Sequence, residues 1–588
     1  MKLSRISLAL LPLLSLCSVQ AAVYNVVEVG NVPELKSTYA SGINDSGDTV
    51  FNGAIKVQRG TTSSGAPLYD YTYFNYPVDL DAIDFENSII QAFFTDEQLA
   101  DINSGNITAD IQSILLSNNL ALQVIGNAIG YVKTGTEQAQ NFTLRDTAMA
   151  RANSEYIYDI NSAGIAVGMA TSTFTKQSFT PVAEDDATTE PETVEIWVPD
   201  LPYLSGVAVV SGEPLVLPPP YQDFGGGMSS ARAISNSGFI AGYGSIGLVD
   251  EASELLETNC NGESQPINSC FYGQYTSDLR TPGTRGQPLT SFGYTQRGLI
   301  WQIEGSNISA PTVLGFLGEK NTQLEHSKEG ALAINYFSQA LAVNNSGIAV
   351  GVSSYTDEDK PYFTNEVYRT THATLFVENE ALPMVDADSW LTSTSVGINN
   401  NNIAVGYASK VINGNTRNKM FYYDYSTNTT SFITGFFDSS GTVPRAINDD
   451  NVIVGSAEVI ASGTTTRRIH GFMYDVGSDN FVDLNTLIGC NSPYTIVEGR
   501  DINSNGTIVA TALVNRDTRD LLGNVVVDAQ GNPEKEVVTT VVTLQPIANG
   551  EVDVCNTGES EYERKGGSLG VWTFLFGGAL IWWRRRKY

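Results

Sequence analysis

One short motif recurs seven times along this chain and constrains its fold more than any other feature. An apolar residue is followed by Asn (once Ser), two further residues that are mostly polar, then Gly or Asn, and finally an apolar, often β-branched run. Gly42-Ile43-Asn44-Asp45-Ser46-Gly47, Asp159-Ile160-Asn161-Ser162-Ala163-Gly164 and Ala446-Ile447-Asn448-Asp449-Asp450-Asn451 are three copies, and the others centre on Ser235, Asn344, Asn399 and Asn503. An Asn side chain at the first turn position can accept a hydrogen bond from the backbone two residues on. The fourth position is Gly except at Asn402 and Asn451, and these two residue types enter the left-handed region most readily. Each copy therefore predicts a tight hairpin with a bulge at its Gly or Asn.

A second element stands between the turns, an aromatic strand seen in Glu195-Ile196-Trp197, Leu299-Ile300-Trp301, Thr374-Leu375-Phe376 and the runs at 420–423 and 471–474. Late copies are evenly spaced, 49 residues from Ile398 to Ile447 and 55 from Val343 to Ile398 and from Ile447 to Ile502. Repeats of that length with several strands each suit propeller blades, which bury their faces only against one another. The expected fold is all-β, a repeat-built propeller of about seven blades over residues 22–560, with a β-solenoid or sandwich array as the alternative. A hydrophobic fraction of 42% supplies the core. Earlier spacings of 117, 74 and 109 residues imply insertions. One, at about 88–120, reads as helical: Thr95 to Gln98 has capping-box spacing, and Thr108 opens Ile111, Ile114 and Leu115 at helical period. Another, from Glu184 to Glu192, is acidic and reads as a solvated loop. Closing the ring requires the chain ends to meet, and the alternating segment 23–29 is expected beside 537–544.

The asparagine turn and aromatic strand together resemble the HAF repeats of bacterial extracellular proteins. The chain ends agree with export. Lys2 and Arg5, the apolar run 6–16 and the small residues near Ala21 form a three-part signal peptide over 1–21, with cleavage between Ala21 and Ala22. At the other end, Gly566, Gly567 and Ser568 lead an apolar stretch to Trp583 and a cluster of basic residues. A helix from Ser568 to Trp583 spans roughly 24 Å, short of the ~30 Å hydrocarbon core. The terminal arginines stay cytoplasmic by the positive-inside rule. This tail, 561–588, resembles the GlyGly-CTERM sorting tag. That resemblance implies a transient inner-membrane anchor, processing by a rhomboid-type protease after signal peptidase, and passage through type II secretion to the surface of a Gram-negative cell. A permanent anchor is the other reading of the same tail.

The net charge of −31 arises in the middle, since segments 1–21 and 566–588 hold six basic residues and no acidic ones. Such a field disfavours nucleic acid and anionic lipid as partners. Beyond the signal peptide lie Cys260, Cys270, Cys490 and Cys555. Four cysteines allow three connectivities, and neighbour pairing, Cys260 with Cys270 and Cys490 with Cys555, is expected.

No residue set reads as catalytic, cofactor-binding or metal-ligating. Gly242-Tyr243-Gly244-Ser245-Ile246-Gly247 fits G-x-G-x-x-G, yet Gly242 is the strand glycine of the repeat, equivalent to Gly351 and Gly455, and no parallel strand follows. His326, His372 and His470 lie outside any H-E-x-x-H setting. The Asn/Asp turns and Asp386-Ala387-Asp388 invite calcium but match no EF-hand loop. Tyr69, Tyr71 and Tyr73 alternate as a sugar-stacking face would, or as ordinary strand packing. The reading that follows is a non-catalytic surface scaffold whose loops meet a glycan or envelope protein. The alternative is a secreted polysaccharide hydrolase or lyase, which needs carboxylates, or a Tyr with Arg, converging from different blades at the propeller mouth.

Overall fold

The computed structural model describes residues 23–553 apart from 62–66, 118–123, 143, 146–150, 183–190, 249, 278–292, 306, 320–335, 357–368 and 461–465. Seven antiparallel sheets, each of four principal strands, surround a central channel as the blades of a β-propeller. Their inner strands are Thr38–Ile43, Glu155–Ile160, Ser229–Ile234, Ser338–Val343, Thr392–Ile398, Thr442–Ile447 and Thr495–Ile502, which number blades 1 to 7.

Every predicted turn joins an inner strand to the second strand of its blade. In blade 1 the Gly47 amide donates to the Asn44 carbonyl, and the Asn44 amide donates to Asp48, the hydrogen-bond pattern of a type I turn with a bulge at the glycine. The fourth position is left-handed in all seven copies, with φ from 61° at Asn402 to 84° at Gly47. The Asn side chain holds the loop shut: Asn344 Oδ1 accepts from the amides of Ser346 and Ile348.

Blades bury apolar faces against neighbours, as the repeat logic requires. Val405 and Met420 of blade 5 pack on Ile453 and Phe472 of blade 6, and Val454 of blade 6 packs on Ile496 and Val542 of blade 7. The ring closes as expected from the ends, with Tyr24–Glu28 forming the outer strand of blade 7 against Lys535–Pro546. The Glu28 carboxylate pins this closure by accepting from Arg516 and, at 2.6 Å, from Thr540 Oγ1.

The helical insertions of blades 1 and 3 connect second to third strands, so in an antiparallel blade they leave from the end opposite the asparagine turns. Blade 1 carries the helices Asp96–Ser104 and Ala109–Ser117, the first with the Thr95–Gln98 capping box formed in both directions. Blade 3 carries Asp250–Asn259 and Ile267–Ser277, joined by the Cys260–Cys270 disulfide with Cα atoms 5.4 Å apart. Cys490 is disulfide-bonded. Cys555 lies outside the described residues, as do the segments 1–21 and 561–588 with Ala21, Ala22, Gly566, Gly567 and Ser568. Among the described residues no helix is long and apolar enough to cross a membrane.

One sequence expectation needs correcting. Glu195-Ile196-Trp197 is not a blade strand but part of a hairpin, Phe174–Phe179 with Val194–Pro199, inserted in blade 2. The third strand of that blade is Leu204–Val210, whose small residues Gly206 and Ala208 fit beneath blade 3 and carry no aromatic signal.

Candidate functional site

The asparagine turns meet around one mouth of the channel. Asn44 Nδ2 donates to the Asn161 carbonyl of the next blade at 3.1 Å. The same step repeats from Asn161 to Ser235, Asn344 to Asn399, Asn399 to Asn448, Asn448 to Asn503, and Asn503 back to Asn44. Ser235 has no amide to donate, and the step from blade 3 to blade 4 is made instead by the Ser237 amide on Asn345 Oδ1 at 3.1 Å. Buried Asn side chains thus form a circlet that satisfies itself. Within it lies a cavity of about 180 Å³.

One layer deeper, each of the seven inner strands carries a second bulge that the sequence did not announce. Registers shift across Ala40/Gly42, Ile157/Asp159, Ala231/Ala233, Ala340/Ala342, Ser395/Gly397, Pro444/Ala446 and Gly499/Asp501. The extra residue in each shift is, in blade order, Ser41, Tyr158, Arg232, Leu341, Val396, Arg445 and Arg500. A bulge re-aims a side chain out of the ladder's alternation, and these seven all line a second cavity of about 230 Å³. Strand glycines serve the same device: a Cβ on Gly168, Gly242 or Gly351 would stand 2.0, 2.0 or 1.9 Å from an inner-strand carbonyl oxygen. Gly242 to Gly247 is accordingly part of a strand paired antiparallel with Tyr294–Glu304, not a phosphate loop.

The girdle is polar along most of its circumference. Arg445 Nε donates to Glu498 at 2.6 Å. Arg232 lies over the Tyr158 ring, 3.9 Å from its centroid. Burial raises the Tyr158 phenol to about 12, and Arg232 works against that rise. Arg500 has no ion pair or side-chain hydrogen bond among the described residues, and burial moves its guanidinium below its ordinary value against the opposing pull of the Glu498 charge.

Two carboxyl groups share this layer. Asp159 accepts from the amides of Ile160 and, across to blade 3, Ile234 at 2.8 Å. Asp501 likewise accepts from Ile502 and, across to blade 1, Ile43 at 2.9 Å. They flank Gly42, where a Cβ would come 3.2 Å from Asp159 Oδ1. Burial, and then the Asp501 charge, pushes Asp159 up to about 7. Burial pushes Asp501 up to about 6 against the pull of its two amides and Arg500.

The residues singled out from sequence lie away from the channel. His372 is buried, with Nδ1 3.3 Å from Ser393 Oγ, and His470 Nδ1 is 2.7 Å from Asp483 Oδ2, both within the blades. His326 lies outside the described residues. Asp386 makes a local turn, accepting from the Asp388 amide and Ser389 Oγ. Among the described residues no group of three or more His, Cys, Asp or Glu side chains could hold a metal ion. Tyr71 donates to the Leu116 carbonyl at 2.6 Å, and Tyr71 and Tyr73 pack against the core of blade 1, whereas Tyr69 is exposed, so the three do not form one face. What the sequence reading missed was legible one residue to the left of each motif: Tyr158, Arg232, Arg445 and Arg500 all stand immediately before it.

Fold and site define a seven-bladed propeller with a polar, arginine-bearing central channel. The chain belongs to the family described as protein of unknown function (DUF3466), whose match covers residues 1–586. That match does not extend to the HAF-type or GlyGly-type resemblances, and no curated protein matches the chain. Among solved structures, it is similar to an acylaminoacyl peptidase from Pyrococcus horikoshii at 10% identity, covering 86% of this chain and 65% of that one, with a TM-score of 0.27. It thus spans about two thirds of that protein's length. It is also similar to a NanB structure with Optactamide at 9% identity, covering 89% of this chain and 70% of that one, with a TM-score of 0.28. TM-scores this low say nothing of shared chemistry.

Proposed function

We propose that this chain is an exported binding protein of the Gram-negative envelope, a rigid propeller that takes its ligand into the central channel. The observation that carries this reading is the set of seven matched bulges. One bulge is a local accident, but the same bulge in every blade turns seven side chains toward one cavity. Concave sites with a few convergent polar groups are where ligands bind. Export rests on the signal-like segment 1–21 and the sorting-like segment 561–588, and a strongly acidic middle keeps a displayed body soluble.

The hydrolase or lyase reading has its own support, since Asp159 with Asp501, and Tyr158 with Arg232, converge from different blades. Binding is the better account because those groups are already engaged. Each Asp oxygen accepts from a backbone amide, and the Tyr158 ring is covered by Arg232.

The test uses protein recovered from the surface of its own cells. Its intact mass should begin at Ala22 and lack the residues beyond the Gly566–Gly567 region. Screened against matrix polysaccharides and their constituent sugars and acids, it should retain a ligand without releasing product. Product release abolished by Asp159→Asn or Asp501→Asn would establish the enzyme instead, and retention of the tail through Tyr588 would make the chain a membrane-anchored protein.

A further inference from the structure

We infer that the channel takes a small organic acid as its anion, with the carboxylate held by Arg500 and Arg232 and the apolar remainder laid against Leu341 and Val396. This rests on the channel being the ligand site and adds the chemistry of what enters it.

A guanidinium carries five N–H donors in a fork that matches a carboxylate. Arg445 is matched to Glu498, but Arg500 meets no acceptor among the described residues, and Arg232 has only the face and hydroxyl of Tyr158. The acceptors that might have served them are committed elsewhere, because both oxygens of Asp159 and of Asp501 are held by backbone amides of their own and the next blade. The channel therefore has hydrogen-bond donors to spare at one level, and charge-assisted bonds to an incoming anion would satisfy them.

Size and shape narrow the anion. The girdle encloses a cavity of about 230 Å³, the scale of a small molecule. Leu341 and Val396 are neighbours in the ring, from blades 4 and 5, and form an apolar arc between Arg232 of blade 3 and Arg445 of blade 6. An inorganic oxyanion leaves that arc against water, whereas a short branched acid covers it.

The experiment is calorimetric titration of the full chain with isocaproate, isocaproamide and sulfate in turn. Isocaproate should bind with one site per chain, and the isosteric neutral amide about 30-fold more weakly, as the loss of charge-assisted hydrogen bonds implies. Arg500→Leu should remove isocaproate binding, and Arg500→Lys should restore part of it, with thermal unfolding of both variants compared to the parent to exclude misfolding. Equal binding of amide and acid would overturn the anion while leaving the channel as the site. Tighter binding of sulfate than of isocaproate would overturn the organic acid. Binding of a ligand from the surface screen that is unaffected by Arg500→Leu would overturn the channel reading itself.

Discussion

Replacing Gly351 by valine should lower the unfolding free energy by about 3 kcal/mol or more, among the largest effects of any single substitution in this chain. A Cβ at this position would lie 1.9 Å from the Gln339 carbonyl oxygen and 3.1 Å from the Leu341 amide nitrogen, both backbone atoms of the inner strand. Neither can swing aside as a side chain would. The close approach exists because the bulge at Leu341 turns the preceding carbonyl toward the second strand, where Gly351 pairs with Ala340. Gly406 and Gly455 meet the carbonyls of Thr394 and Val443 at 2.3 and 2.2 Å in the same way. Gly273→Ala is the control, since a Cβ there meets nothing within 4 Å and the residue lies in the helix Ile267–Ser277. It should be neutral or stabilise by about 0.5–1 kcal/mol. Denaturant unfolding of the two variants beside the parent decides the matter. A Gly351→Val chain as stable as the parent would mean that the bulge is not a feature of the folded blade.

The stability of the folded chain should fall as pH rises from about 4 to about 7, and Asp159 and Asp501 should account for much of that slope. An unfolded Asp releases its proton near pH 3.9. In the channel the pair is displaced upward, Asp159 to about 7 and Asp501 to about 6. Between those limits the folded chain holds protons that the unfolded chain has lost, so stability is fully present below the lower value and is lost as pH passes the upper ones. The two titrate as a coupled pair. About 2 kcal/mol between pH 5 and pH 8 is the expected scale. Self-repulsion of a chain with net charge −31 slopes the same way, so the comparison is with Asp159→Asn. That variant exchanges one acceptor for a donor and should cost on the order of 1 kcal/mol or more near pH 5, with the cost shrinking toward pH 8 as the parent loses the contribution of its protonated Asp159, so that the slope flattens. An unchanged slope in Asp159→Asn would place the titration elsewhere.

Much of this architecture was written in local chemistry. Asn402 and Asn451, standing where five glycines stand in the other copies, marked the left-handed turn position, and all seven turns have that geometry. Segment 23–29 alternated as an outer strand should, and it closes blade 7. The site was harder to see because a strand is read by its period of two, and a bulge breaks that period by one residue. Arg232, Arg445 and Arg500 therefore looked like ordinary polar positions of half-buried strands. Only the register across each blade shows that they turn inward. Trp197 misled for the opposite reason, since an aromatic strand in an insertion has the same local signature as one in a blade. Asp159 and Asp501 were visible as variants of a position that is otherwise Gly or Ala, but proximity across Gly42 joins residues far apart in sequence.

Seven aligned bulges, on this reading, build one ligand site inside the ring. The most direct measurement is a crystal structure of the full chain grown with isocaproate. The acid should lie in the channel below the asparagine circlet, its carboxylate within hydrogen-bond distance of the Arg500 guanidinium. Ligand density on the insertion-bearing face, with the channel holding only water, would contradict it.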